Sequence, residues 1–276
     1  MLILAATPIG NLADASPRLV EALVGSKFIA AEDTRSLLKL ANSLGIKLNA
    51  RLFSLHEHNE GERLGQILEI AQDEPVLVVS DAGMPTVSDP GFLLVRAAVA
   101  QGIEVTVIPG PSAVLSALAV SGLPTDRFTF EGFLPRKQGD RRKMFAHLVR
   151  EPRTMVFFES PHRILESLED AVMELGADRL ASVSRELTKK FEHTERGTLA
   201  ELVEWAKGVP KGEMVLVVAG ATAQVVKTED LVEQVLSLTA EGAGLKDAVA
   251  EIASAAGASK GDLYQLVLEA RKAQPS

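Results

Sequence analysis

Residues 78 to 91 of the chain read VVSDAGMPTVSDPG, a stretch that holds two Asp, two Ser, two Pro and two Gly. A connection between a strand and a helix needs only about 2 to 6 residues, so this composition asks for a further explanation. Ser80 and Asp81 bring a hydroxyl and a carboxylate to the turn, and Gly83 lets a ligand approach the backbone closely. For Asp89, a helix cap followed by Pro90 at the first helical position is the simpler reading.

Other polar clusters recur at the ends of short apolar runs. AEDTR (31 to 35) brings Glu32, Asp33 and Arg35, and SLHEHNE (54 to 60) brings His56, His58 and Asn59. His56 and His58 are two apart and could share a strand face for a metal, but no third ligand is evident, and hydrogen-bonding roles are favoured. FFESPHR (157 to 163) and SRELTKKFE (184 to 192) add Phe158, Glu159, His162, Arg163, Arg185 and Glu186. One such cluster would be ordinary; several at strand ends suggest a site between two domains. The segment RKQGDRRK (136 to 143) is either a solvated face or a phosphate-docking patch.

These residues must be positioned by alternating elements. Strands are expected at 2 to 6, 27 to 31, 50 to 54, 75 to 80 and 104 to 108, with helices near 16 to 25, 34 to 44, 59 to 72 and 90 to 101. Such alternation implies a mostly parallel sheet, and the turn at 80 to 85 then lies at the carboxyl end of a strand, where open sheets bind ligands. Two more loops rich in Gly and Pro, ATPIGNLADAS (6 to 16) and IPGPSA (108 to 113), reach the same edge and form a cleft with it. Neither GxGxxG nor GxxxxGK[ST] is present there, which disfavours dinucleotides and ATP.

Further strands at 127 to 133, 153 to 160, 179 to 186, 191 to 197 and 212 to 220 follow one another partly without helices between them, so antiparallel pairs are expected. Residues 221 to 230 read as a linker. Beyond them come three helical patterns, the last two separated by Gly257 and capped by Ser259, the outline of a helix-turn-helix. The expected fold class is α/β, with domains at 1–113, 114–222 and 228–276.

Composition narrows the chemistry. The 276 residues contain no Cys, which excludes thiolate metal sites and a Cys nucleophile. A net charge of -8 and an aromatic share of 4% argue against indiscriminate coating of nucleic acid and against a base-stacking platform. No apolar run is long enough to cross a bilayer and no signal peptide opens the chain, so a soluble cytoplasmic protein is expected, with no membrane partner.

The stretches ATPIGNLADAS, AEDTR, HEHNE, VSDAGMPTVSDPG, IPGPSA, FEGFLPRK, FFESPHR and SRELTKKFE followed by RG resemble the bacterial 16S ribosomal RNA cytidine 2′-O-methyltransferases, within the tetrapyrrole methylase superfamily. The match runs in order through residues 1 to 220. The resemblance implies two α/β domains of the tetrapyrrole methylase type with a small helical appendix, S-adenosylmethionine as cofactor, a homodimer, and 16S rRNA in the small ribosomal subunit as partner. It departs from the superfamily in the first loop, where TPIGN stands in place of a GxGPG-like sequence. On this resemblance the cofactor falls to Pro8, Ser80, Asp81, Ala82, Gly83, Met84, Pro109, Ser112 and Phe158. RNA contacts fall to Arg35, His58, Asn59, Arg136, Lys137, Arg141, Arg142 and Arg185. Loss of the ribose hydroxyl proton makes Asp33 the first candidate base, then Glu186 and His56; no metal is expected. Two alternatives stand beside it: a methylase acting on a precorrin-like macrocycle, and a ligand-sensing helix-turn-helix regulator without enzyme activity. The basic segment and the C-terminal helices disfavour the first, and the polar clusters disfavour the second.

Overall fold

The computed structural model describes residues 1–56, 59–208, 211–221, 228–256 and 258–273. The chain divides into two compact units, Met1–Ala221 and Thr222–Ser276.

The first unit begins with five strands, β1 (Leu2–Ala5), β2 (Phe28–Ala31), β3 (Arg51–Ser54), β4 (Val76–Val79) and β5 (Val105–Ile108). They form a sheet in the order β3-β2-β4-β1-β5, with every neighbouring pair parallel. The helices between them are α1 (Pro17–Gly25), α2 (Thr34–Ser43), α3 (Glu60–Asp73) and α4 (Phe92–Ala100). The period of two along a strand explains the layering. Val76 and Val78 of β4 face a core containing Ile67, Ala71, Leu94 and Ala98 of α3 and α4, while Leu77 and Val79 face Leu19, Leu23 and Leu37 of α1 and α2. A strand apolar on both faces can only sit between two helical layers. This is the mostly parallel sheet that the alternation predicts.

The start of α4 differs from expectation. Asp89 does not cap it: the cap position is Gly91 at φ 117, a left-handed conformation that ends any helical turn through Pro90, and the helix begins at Phe92. The free amides are met from another helix, since Glu60 Oε1 accepts from Gly91 N at 3.2 Å and Leu94 N at 2.9 Å. Ser16, directly before Pro17, caps α1, accepting from Leu19 N at 3.1 Å.

From β5 the chain enters α5 (Ala113–Ser121), capped by Ser112, and then a second sheet built from β6 (Phe128–Phe133), β7 (Thr154–Glu159), β8 (Leu180–Arg185), β9 (His193–Thr198) and β10 (Met214–Val218). Its order is β6-β7-β10-β8-β9; β6 and β7 run parallel and the other pairs antiparallel. Helix α5 packs Val114, Ala117 and Leu118 against Val156, Val215 and Val217 on one face. The opposite face, with Met155, Phe157 and Leu216, meets α6 (Gln138–Leu148), α7 (Ile164–Leu175) and α8 (Leu199–Ala206). Within that layer lies an ion pair with both side chains 1% exposed, Arg141 to Asp170 at 2.7 Å.

The second unit comprises α9 (Thr228–Ala240), α10 (Leu245–Ala256) and α11 (Lys260–Ala273), with a core around Val235, Val249, Leu263 and Val267. Ser259 Oγ accepts from Asp262 N at 3.4 Å, the expected cap. Gly257 and most of the expected linker, residues 222–227, lie outside the described residues; α9 already begins at Thr228.

Truncating one partner of a buried pair strands the other charge, which costs about 3 to 5 kcal/mol. Arg141→Ala should therefore lower unfolding stability by about that amount in urea titration. Arg142→Ala, whose side chain is 41% exposed in its pair with Glu174, should cost no more than about 1 kcal/mol.

Candidate active site

Strands β1 and β4 are neighbours in register, so the loops after Ala5 and Val79 emerge side by side. They are tied by an isolated antiparallel bridge: Thr7 N donates to Gly83 O at 2.9 Å, and Gly83 N donates to Thr7 O at 3.1 Å. Gly83 adopts φ 79, which L side chains rarely tolerate. Inside this turn Ser80 is buried, its hydroxyl donating to Gly83 O at 3.4 Å. The loop after β5 closes over β1, where a Cβ on Gly110 would stand 2.9 Å from Ala6 Cβ.

Between these loops and the second sheet lies a cavity of about 260 Å³. One wall is Ile9, Ala82 to Met84 and Val87 to Asp89; the other is Phe133, Phe158, Leu187 and Glu213 to Val215, with Ser112 to Val114 at the joint. Its described lining contains three carboxylates, Asp89, Glu159 and Glu213, and neither Lys nor Arg. Two of the three are engaged by cations. Glu159 pairs with Arg163 and accepts from Ser167 Oγ at 2.6 Å, and Glu213 pairs with Lys189 at 2.8 Å.

Asp89 is different. Burial pushes its carboxyl up to about 6, with Glu32 and Asp81 adding repulsion against a hydrogen bond to Ser80. It sits on a loop where Thr86 and Ser88 hold φ values of 75 and 62, a left-handed backbone that costs non-glycine residues about 1 to 2 kcal/mol each. Thr86 N donates to Pro90 O at 3.3 Å and folds this loop on itself.

Of the residues expected to hold a cofactor, Ala82, Gly83, Met84, Ser112 and Phe158 line the cavity. Pro8 lies between bridged Thr7 and cavity-lining Ile9, Ser80 lies beneath the turn, and exposed Pro109 leads into the crossing at Gly110. Asp81 turns toward β2 and α2, accepting from Asp33 N and Ser36 Oγ, both at 3.2 Å.

Asp33 itself caps α2, bound by Arg35 at 2.7 Å, and the hydrogen bond from Arg35 holds its carboxyl down at about 2. Arg35 keeps 84% of its side chain exposed in this pair. Glu186, at φ 51, is held by Lys189 at 3.0 Å, whose hydrogen bond lowers its carboxyl below the usual range. His56 and Asn59 share a turn in which Asn59 Oδ1 accepts from His56 N at 2.8 Å. His58 lies outside the described residues.

Arg136 and Lys137 are exposed ahead of α6, and Arg185 ends β8 opposite His193. Arg141 cannot meet RNA from its place in the core; burial on α6 turns it inward to Asp170. Arg142 lies along α7 in its pair with Glu174. The residues that sequence reasoning missed include Ile9, Asp89, Phe133, Leu187 and Glu213 to Val215. The Gly91 that follows Asp-Pro was the available sign that Asp89 does not start a helix.

Residues 1–203 match the family of tetrapyrrole (corrin/porphyrin) methylases, and residues 226–271 match the RsmI C-terminal HTH domain. Among solved structures, the methyltransferase CobJ aligns with a TM-score of 0.59 at 22% identity, covering 80% of this chain and 94% of its own. Diphthine synthase aligns with a TM-score of 0.59 at 17% identity, covering 80% and 90%. The two sheets and the cleft between them thus define a methylase of this class.

Curated relatives named ribosomal RNA small subunit methyltransferase I are nearer in sequence. That of Mycobacterium tuberculosis (strain CDC 1551 / Oshkosh) is 48% identical over 98% of this chain and 95% of its own, and that of Escherichia coli O157:H7 is 44% identical over 97% and 94%. The chain belongs to the ribosomal RNA small subunit methyltransferase I family. It is an S-adenosylmethionine-dependent methyltransferase.

The cleft fits that cofactor. S-adenosylmethionine carries positive charge on sulfur and on its amine and has no phosphate, and the described lining offers apolar surface and carboxylates without a basic phosphate clamp. Ala82, Gly83 and Met84 on one wall and Phe158 and Val215 on the other would hold it.

A carboxyl raised from 3.8 to about 6 weakens the fold only when the pH is high enough to ionise it. Asp89→Asn should therefore be neutral below about pH 4, gain stability as the pH rises through 4 to 6, and stay level above. Allowing for solvent screening, the plateau should be about 1 kcal/mol, measured by urea unfolding across pH.

Proposed function

We propose that this protein methylates the ribose 2′-hydroxyl of a decoding-centre cytidine in 16S rRNA, working on the small ribosomal subunit in the cytoplasm as a homodimer. The observation that carries this reading is the carboxylate-lined cleft, whose described lining holds neither Lys nor Arg, in a chain that matches, along nearly its whole length, relatives named for small-subunit rRNA. A macrocycle methylase would share the cleft but has no use for a C-terminal domain matched to these relatives. No described helix is long and apolar enough to cross a membrane.

The cofactor supplies, when bound, a methyl group already activated by a positively charged sulfur. The chain's task is then mainly alignment, which can contribute about 7 to 11 kcal/mol toward the barrier. Ile9, Val87, Phe133 and Leu187 exclude water around the reacting atoms, and Ala82 to Met84 fix one side of the cleft through the Thr7–Gly83 bridge. Exposed Arg136, Lys137 and Lys143 offer positive charge to the RNA backbone, with Arg185 and the C-terminal helices as further contacts.

The homodimer reading is supported by a sheet edge that has no pairing strand among the described residues. β5 ends the first sheet, and Val107 on it, with Phe92 and Val99 on α4 and Leu115 on α5, is an exposed large apolar residue. Apolar edge strands are normally covered.

Tritiated S-adenosylmethionine should label small ribosomal subunits, and digestion should place the label on a cytidine 2′-oxygen. Calorimetry should give micromolar-range binding, about -8 kcal/mol, with ATP and NAD far weaker. Sedimentation of the same preparation should give a species of twice the chain mass. Label on precorrin alone, or tight NAD binding, would overturn the reading; a monomer would overturn its dimer part.

A further inference from the structure

We propose that Asp89 is the catalytic residue that takes the proton from the acceptor hydroxyl, an inference that rests on the methyl-transfer reading of the same cleft. Three carboxylates line the cavity, and their surroundings separate their roles. Glu159 and Glu213 have oxygens already engaged, by Arg163 and by Lys189. Asp89 makes no ion pair among the described residues. Its charged neighbours are the carboxylates of Glu32, at the end of β2, and Asp81, at the end of β4, and its hydrogen-bond partner is Ser80. Across the cavity stand Glu159 with Arg163 and Glu213 with Lys189.

Glu32 and Asp81 are tied up away from the cavity. Glu32 Oε2 accepts from Asp81 N at 3.1 Å, and Asp81 accepts from Asp33 N and Ser36 Oγ. They repel charge on Asp89 without lining the cavity themselves. Burial and that repulsion bring the Asp89 carboxyl to about 6, so it is ionised at neutral pH yet still has appreciable affinity for a proton. The loop is fixed for this placement: left-handed Thr86 and Ser88, and Gly91, whose added Cβ would stand 3.3 Å from Thr86 Cγ2, present Asp89 to the cavity rather than to the helix that follows.

The step balances simply. The ribose oxygen forms a bond to the methyl carbon as the carbon–sulfur bond breaks, and that bond's electron pair stays on sulfur as a neutral thioether. The hydroxyl proton passes to Asp89, which returns it to water after product release.

Asp89→Asn and Asp89→Glu separate this role from a structural one and from a counter-ion to the cofactor. In cofactor-free protein carrying 13C-carboxyl aspartate, one resonance should titrate near 6 and vanish in Asp89→Asn. Single-turnover transfer to small subunits should fall about 10²- to 10⁴-fold in Asp89→Asn, with part of the rate restored in Asp89→Glu. The acid limb of the wild-type pH profile, which cofactor charge should move below its cofactor-free position, should be missing in Asp89→Asn.

Affinities for S-adenosylmethionine and for its neutral-sulfur product should both be kept in Asp89→Asn. Transfer within about threefold of wild type, or a selective loss of S-adenosylmethionine affinity that accounts for the slower rate, overturns the assignment while wild-type transfer leaves the rRNA reading intact. Wild-type protein that transfers no methyl to small subunits sinks that reading and Asp89's role with it.

Discussion

The pair of backbone hydrogen bonds between Thr7 and Gly83 is the constraint on which the cleft depends. It joins the loops that leave β1 and β4, two neighbouring parallel strands whose carboxyl ends would otherwise be open. The bond is possible because Gly83 turns through a positive φ and brings its own amide and carbonyl back to Thr7. Ile9 on one loop and Ala82 to Met84 on the other then face the same cavity. The bridge thus holds the two loops against each other as one wall of the cavity.

Charge is sorted around that wall. On the side of the second sheet, carboxylates are neutralised by neighbouring cations, as Glu159 is by Arg163 and Glu213 by Lys189. On the side of the first sheet, Glu32, Asp81 and Asp89 gather without an ion pair among the described residues, relieved by backbone amides, hydroxyls and the nearby charge of Arg35 on Asp81. Such an arrangement repels a phosphate, so a methyl donor without one can occupy the cleft where a nucleotide cannot.

Much of the framework was legible in the sequence because it rests on local patterns. The apolar run at β4 could be seen as a strand of a parallel sheet, and Ser16 before Pro17 marked the start of α1. The antiparallel relation of β8 and β9 followed from the lack of a helix between them. What could not be read depends on partners distant in sequence. Glu60 caps α4 from 31 residues away, which releases Asp89 from the role its Asp-Pro pair suggested. Arg141 looked like one more charge in a basic run until Asp170, 29 residues on, drew it into the core. The far wall of the cleft comes from the start of β10, which no motif near residue 80 could indicate.

The central claim is that S-adenosylmethionine is held between the Gly83 turn and the start of β10. A crystal structure with S-adenosylhomocysteine bound tests it most directly. The account predicts density for the ligand against Ala82 to Met84 on one side and Val215 on the other, with its sulfur on the side of Asp89. Ligand density elsewhere on the chain, with this cavity holding only water, would contradict it.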